Sequence, residues 1–131
     1  MPSPKSKYKW VSVDGKLTYA HRVAWEEAYG PIPAGLMIDH IDRDRSNNDL
    51  SNLRLVTPSL NRLNLGAERG AHWDAKSKRY RAQLKWKGKT YYLGRYDTKE
   101  EAAARAHAVR TAMLTHWELL GVEPTTPLDF A

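Results

Sequence analysis

The stretch Lys78–Trp86 alternates without a break, with Tyr80, Ala82, Leu84 and Trp86 on one parity and Arg79, Arg81, Gln83 and Lys85 on the other. A period of two gathers its large apolar residues on one face only in a β-strand, so this segment is a strand with one dry and one basic face. The turn Trp86-Lys87-Gly88-Lys89 and the run Thr90–Leu93 bring the chain back as a second strand, and a strand around Arg69, His72 and Trp73 precedes them. Lys99 to about Leu120 follows as a long helix, capped by Asp97 or Thr98, with Glu100 and Glu101 in the first turn where the helix dipole favours negative charge. Ala102, Ala103, Ala106, Val109, Ala112 and Met113 form a narrow apolar stripe along it. Small residues there let the helix lie close against the aromatic face of the sheet. The tail after Gly121, rich in proline, reads as irregular.

The first half follows another pattern. Lys9–Tyr19 alternates on both sides of Asp14-Gly15, a pair that readily takes the positive φ angles of a two-residue hairpin turn. Ala20–Tyr29 is a helix ended by Gly30-Pro31. Leu36–Ile41 reads as a short strand, Asp42–Asp49 as a polar loop and Leu53–Val56 as a second strand. Thr57 as N-cap and Pro58 at the first helical position open a helix running to about Leu65. The change of pattern near Gly66–Gly70 divides the chain into residues 1–66 and 67–131. Together the halves make an α+β protein.

Charge separates the halves as well. The net charge of +6 is carried by residues 66–97, where nine Lys/Arg face three Asp/Glu, while residues 98–131 are net negative. A basic block inside a folded chain suits a polyanion such as nucleic acid, and it also suits a solvated surface. There are no cysteines, which removes disulfides, thiol nucleophiles and cysteine-based zinc sites. No apolar stretch approaches a membrane span, and the basic, Pro/Ser-rich Met1–Tyr8 lacks the apolar run of a signal peptide. A soluble, intracellular protein is expected, with no small-molecule cofactor.

The residues able to do chemistry are Asp39, His40, Asn52 and Asn61. Asp39 and His40 are neighbours at the end of a strand, so their side chains point to opposite sides. Asn61 falls on the following helix. In a compact strand–loop–strand–helix unit, helix and first strand face each other, and Asp39 and Asn61 can offer oxygens to one cation. A carboxylate and an amide oxygen suit a hard ion such as Mg²⁺ or Mn²⁺, which keeps several waters and accepts phosphate as a further ligand. His40 beside that ion is a general base for an attacking water, since an imidazole takes a proton near neutral pH. Asp39, Asp42, Asp44, Ser46 and Asn48 superficially suggest a calcium loop, but its glycine and closing glutamate are missing. Asn47 and Asn48 are expected to cap backbone in a turn-prone loop.

The run from His21 to Asn64, with "AHRVAWEEAYGPIPAGLMIDHID" and "NNDLSNLRLVTPSLN" in order, resembles the HNH endonucleases of the phage homing type. The resemblance covers about half the chain and implies a ββα-metal nuclease domain. It further implies that Asp39 and Asn61 are metal ligands, that His40 is the general base and that Asn52 braces the loop carrying the histidine. The third letter of the family's name is Asn61 here rather than histidine, and asparagine is the weaker ligand. Arg22, at the start of the first helix, is a candidate phosphate contact.

The stretch "RGAHWDAKSKRYRAQLKWKGKTYYLGRYDTKEEAAARAHAVR" resembles the DNA-binding domain of plant ethylene-response factors, the Apetala type. That resemblance implies a three-stranded antiparallel sheet, packed on one long helix, that lies in the major groove of duplex DNA. The alternation agrees on the working face: Arg79, Arg81, Gln83 and Lys85 face outward, with Arg69, His72, Trp73 and Arg95 as neighbours. Arginine pairs with guanine and glutamine with adenine, although most contacts of such a face go to phosphate. Trp73, Trp86, Tyr80 and Tyr92 can instead be core aromatics, and most of the four are assigned to packing. The first-strand arginines are sparser than in the plant domains, so base specificity does not carry over. The expected activity is metal-dependent cutting or nicking of DNA. A DNA-binding protein without catalysis, or an RNA- or protein-binding module, would use the same residues differently.

Overall fold

The computed structural model describes residues 8–131, so the N-terminal segment discussed above lies, except for Tyr8, outside them. The chain divides into two compact units, residues 1–61 and 62–131.

In the first unit β1 (Trp10–Val13) and β2 (Lys16–Tyr19) pair antiparallel in the register Trp10↔Tyr19 to Val13↔Lys16. Asp14 and Gly15, with φ of 51° and 80°, make the tight turn between them. The chain passes straight into α1 (Ala20–Tyr29), whose first N–H donates to the Lys9 carbonyl at 2.9 Å. β3 (Met37–His40) and β4 (Leu53–Val56) form a second antiparallel pair, with Asp39 opposite Arg54 and His40 opposite Leu53. α2 (Pro58–Asn61) packs against both strands, and its Thr57 hydroxyl accepts the Leu60 N–H at 3.2 Å. The expected helix to about Leu65 stops at Asn61. So short a helix has no stability of its own, so burial decides its length. Leu63, 2% exposed, is buried outside the helix, and Asn64 and Gly66 are poor helix formers.

The second unit is a three-stranded antiparallel sheet, β5 (Ala71–Asp74), β6 (Arg79–Trp86) and β7 (Lys89–Tyr96), in that order, covered by α3 (Lys99–Leu120). β7 runs beyond the expected Leu93. Gly94, which reads as a strand end, instead takes φ 110° where β7 carries one more residue than β6 between the pairs Gln83↔Tyr92 and Arg81↔Arg95. A β-bulge therefore extends the strand rather than ending it. Ala82, Leu84 and Trp86 are buried against the helix stripe of Ala102, Ala103, Ala106, Val109 and Met113. Thr98 caps α3 by accepting the Glu101 N–H at 3.1 Å. The tail is not irregular throughout. Thr126 accepts the Leu128 N–H and Pro127, fully buried, opens a 3-10 turn (Pro127–Phe130) that packs on α3 and β7.

Arg69 lies outside β5. The chain turns before it, the Arg69 N–H reaching the Gly66 carbonyl at 3.0 Å, and this turn is pinned by a buried guanidinium. Arg110 on α3 donates to the Arg69 carbonyl (3.1 Å) and the Gly66 carbonyl (3.0 Å), and burial lowers its pKa from the ordinary value. Gly70 has φ 105°, and a Cβ there would come within 2.5 Å of the Ala106 Cβ. Gly70→Ala combines an unfavourable backbone with an overlap against a fixed helix. Urea unfolding should show the second unit destabilised by about 2–4 kcal/mol.

Candidate active site and outer sheet face

Asp39 and His40 occupy the end of β3, and both are nearly inaccessible, at 6% and 4% exposure. Their opposite directions give them different neighbours. Asp39 Oδ2 accepts from Arg54 Nε at 2.8 Å, across the strand pair, with both side chains mostly buried. His40 Nε2 lies 2.9 Å from Asn48 Oδ1. Asn48 therefore does not act as the backbone cap expected of it, because its amide is used by the histidine. Asn61, half-buried, ends α2 on the helix that packs against β3.

Asn52 is buried and ties the loop after His40 to β4. Its Nδ2 donates to Asp42 Oδ1 and to the Asn47 carbonyl, and its Oδ1 accepts the Asp42 N–H, each at 2.9 Å. Its own carbonyl accepts the Ile41 N–H at 2.8 Å. The loop is further wound on side chains. Asp42 Oδ2 accepts from Asn47 Nδ2 (2.8 Å), Asp42 Oδ1 accepts the Asp44 N–H (2.8 Å), and Asp44 Oδ1 accepts from the Ser46 N–H and hydroxyl. These bonds stabilise the charged carboxylates. Asn47 is the main cause holding Asp42 below the usual carboxylate range, and Ser46 does the same for Asp44.

Sequence reasoning missed His21. This residue, in the first turn of α1, is only 8% exposed, and its ring meets that of His40 edge-on with centroids 5.1 Å apart. It closes a run of aromatic contacts, Trp10 to Tyr19 (4.1 Å) to His21 (5.1 Å) to His40, with Tyr8 touching Tyr19, His21 and His40. Its Nδ1 is buried and has no hydrogen-bond partner among the described residues. Burial, then the neighbouring His40 and Arg22, push its pKa down from 6.5 to about 4. The available signal was the position of His21 at the exit of a hairpin whose aromatic residues have to pack on something. Arg54 was missed as well, and only the β3–β4 register, not the spacing, puts it across from Asp39. Arg22 is exposed, within 3.6 Å of Glu26 one turn on.

In the second unit the face turned away from α3 carries a row across all three strands, His72↔Arg81↔Arg95, with Gln83↔Tyr92 beside it and Lys85 beyond. Arg81 lies over the Tyr92 ring at 4.9 Å. Arg79 is held by Asp97 (3.1 Å) and Arg95 by Asp74 (3.2 Å). Ser77 first, then Arg95, lowers the Asp74 pKa. Trp73 does not join this row. It pairs with Tyr80, their rings 5.0 Å apart, on the parity of Ala82 and Leu84, because neighbours on a strand such as His72 and Trp73 face opposite ways. Of the four large aromatics weighed for packing, Trp86 is buried (3% exposed), while Trp73 (55%) and Tyr92 (58%) are exposed.

The β3–β4–α2 region and its buried Asp-His pair form the candidate site, and comparison with known proteins says to which class of protein the chain is similar. Residues 18–63 match the HNH endonuclease family. The chain is 34% identical over 90 residues to Protein 3.8 of Escherichia phage T7, a span covering 63% of this chain and 74% of that protein. It is 34% identical over 109 residues to an uncharacterized HNH endonuclease of Acanthamoeba polyphaga mimivirus, covering 75% of this chain and 58% of that one. Protein 7.7 of phage T7 is 46% identical over 54 residues, or 40% of this chain and 39% of that protein. No solved structure matches significantly. The chain belongs to the HNH endonuclease family and is a nuclease. Among the described residues no helix is long and apolar enough to cross a membrane.

Burial of His21 has a measurable consequence. Between pH 6.5 and about 4 the unfolded chain protonates this histidine while the folded one does not. Acid therefore favours unfolding through this window, and stability is regained as pH rises through 6.5. Thermal unfolding of the natural protein should shift downward as pH falls from 6.5 towards 4, and in His21→Phe the shift should be smaller.

Proposed function

We propose that this nuclease is a metal-dependent DNA endonuclease of ββα-metal type that nicks duplex DNA, and that residues 67–131 grip the duplex through the outer face of their sheet. The observation carrying the reading is the end of β3, where a buried carboxylate and a buried imidazole leave the strand in opposite directions. The donors fit a hard divalent ion. Asp39 and Asn61 offer oxygens only, and no group of three or more His, Asp or Glu converges as a metal cage among the described residues. An ion held by these two would complete its shell with water and phosphate, the habit of Mg²⁺ or Mn²⁺. When bound, the ion supplies charge stabilisation at the scissile phosphate and the departing oxygen.

The protein's own groups would do the rest. Arg54 orients the Asp39 carboxylate. With the Asn48 amide oxygen beside Nε2, the His40 ring is held in place as the base that accepts the proton of the attacking water. Asn52 keeps the loop bearing Asn48 in register with β3. One such site per chain favours a nick unless two chains act together. On the sheet, Arg81, Gln83, Lys85, His72 and Arg95 present the donors that phosphates and base edges accept, as the likeness to the ethylene-response-factor domain suggests.

Conversion of supercoiled plasmid to open circle tests the first part. Mg²⁺ or Mn²⁺ should support nicking, EDTA should abolish it, and His40→Ala should lower its rate by about 10²–10⁴-fold. An unimpaired His40→Ala would remove His40 as the base, and a natural protein inert with both metals on plasmids of varied sequence would remove this reading in favour of binding alone. Duplex affinity measured in EDTA tests the second part. It should weaken with salt by about 0.9 log unit per log unit of salt for each phosphate neutralised, and Arg81→Ala or Lys85→Ala should each reduce that slope by about one contact. A flat salt response is the result that would sink the gripping role.

A further inference from the structure

The loop that leaves β3 at His40 carries two arginines, Arg43 and Arg45, for which the proposed mechanism has no use. We propose that Arg45 is a positioning residue of the same site. It holds a backbone phosphate of the strand to be cut, a short way along from the scissile one, and so sets that strand against His40. The inference rests on the reading of His40 as general base.

Charge is the first support. The first unit has four arginines, Arg22, Arg43, Arg45 and Arg54. Arg54 is engaged by Asp39 at 2.8 Å, and Arg22 lies 3.6 Å from Glu26. Arg43 and Arg45 are exposed and form no ion pair among the described residues, although Asp42 and Asp44 alternate with them along the chain. The reason is local. Asp42 accepts from Asn47, Asn52 and the Asp44 N–H, and Asp44 accepts from the Ser46 N–H and hydroxyl. Both carboxylates are occupied in winding the loop, which leaves its two guanidiniums to an anion from outside.

Placement singles out Arg45. Its guanidinium lies over the Tyr8 ring at 4.9 Å, and the Tyr8 ring is 5.9 Å from that of His40. Its backbone is fixed as well. The Asn47 N–H reaches the Asp44 carbonyl at 3.0 Å, which makes Arg45 the second residue of a β-turn. Asn48, just beyond that turn, lies 2.9 Å from His40 Nε2, so the loop returns to the histidine it left. A ring beneath a guanidinium fixes its place without accepting any of its five N–H donors in the ordinary way. The planar fork of those donors matches two phosphate oxygens at once. Phosphates of one strand follow each other at about 3.4 Å of helix axis, so two ring contacts in series keep Arg45 within about three phosphates of the one His40 addresses. Arg43 is equally exposed but lies over no ring among the described residues. No bond to Arg45 forms or breaks in the reaction. Its effect is orientation, and that acts on the rate even when the duplex is fully bound.

Three variants of the full chain separate the possibilities. Arg45→Gln removes the charge, Arg45→Lys keeps it without the fork, and Arg43→Gln removes an equal charge from the same loop. For each, single-turnover nicking over a range of protein concentrations gives a maximal rate and a half-saturation point, and thermal unfolding is recorded alongside. All three should unfold where the natural protein does. Arg45→Gln should nick about 10–100-fold more slowly at saturation, as a misplaced strand requires, and Arg45→Lys should recover part of that loss. Arg43→Gln should keep the maximal rate and shift only the half-saturation point. Bis(p-nitrophenyl) phosphate has no neighbouring phosphate, so the natural protein and Arg45→Gln should hydrolyse it equally.

A maximal rate unchanged in Arg45→Gln, with only half-saturation raised, would mark uniform binding and overturn the proposal. Equal rate losses in Arg45→Gln and Arg43→Gln would mark general attraction and overturn it too. So would a matching loss on the small diester, which would put Arg45 at the reacting phosphate or behind His40. If the natural protein leaves that diester intact, the comparison with Arg43→Gln decides. A lowered unfolding temperature in Arg45→Gln would make its rate loss structural and count against the proposal. Nicking that needs His40 but ignores Arg45 removes this inference alone, and no nicking by the natural protein removes both.

Discussion

Neighbouring residues on a strand point to opposite faces, and the site depends on that rule at Asp39 and His40. One direction leads to the cross-strand partner Arg54, the other to Asn48, His21 and Tyr8. An acid and a base side by side in sequence are thereby kept in separate surroundings. The carboxylate is oriented by a guanidinium, and the imidazole by an amide and an aromatic wall. A one-residue slip between β3 and β4 would exchange the two faces, so the candidate site depends on the register as much as on its residues. The loop wound on Asn52 and Asp42 secures that register at its open end.

This arrangement taxes the first unit. Among the described residues its buried apolar set is Ile38, Leu53, Val56 and Leu60, while His21, Asp39, His40 and Asn52 are buried beside them. As many polar as apolar side chains are desolvated, and each polar one needs a partner to be neutral in cost. Arg54, Asn48 and the Asp42–Asn47 loop supply partners for three of the four. His21 stands apart through its Nδ1. The second unit has the opposite economy. Eleven buried apolar residues, from Leu63 to Leu114, face one buried charge, Arg110, whose two carbonyl bonds fix the turn at Gly66–Arg69.

Most elements were legible because their signals are local. Asp14-Gly15, Thr57-Pro58, the alternation of β6 and the alanine stripe of α3 each specify a conformation within a few residues. The misjudged features depend on contacts far along the chain. α2 stops at Asn61 with Leu63 buried beyond it, β7 continues because a bulge absorbs Gly94, and the tail is ordered because buried Pro127 opens a turn that packs on α3 and β7. The same distinction separates the site residues. Asp39, His40, Asn52 and Asn61 stand out from the chemistry and order of their types. Arg54 and His21 reach the site through pairing and packing across the fold, which spacing does not encode.

The outer sheet face shows how such packing bears on the proposed grip. Arg79, Arg81, Lys85 and Arg95 on this face suggest a uniform basic strip, yet two of them, Arg79 and Arg95, are already engaged by Asp97 and Asp74. Exposed ion pairs of this kind contribute about 0–1 kcal/mol, so a phosphate can replace the carboxylate at little cost. The displaced carboxylates nevertheless stay close and repel the backbone that takes their place. In the proposed grip, net attraction is therefore concentrated on β6, at Arg81 with its Tyr92 support and at Lys85, rather than spread over the face. A grip centred there leaves Gln83, directly across from Tyr92, as the side chain placed to meet a base edge.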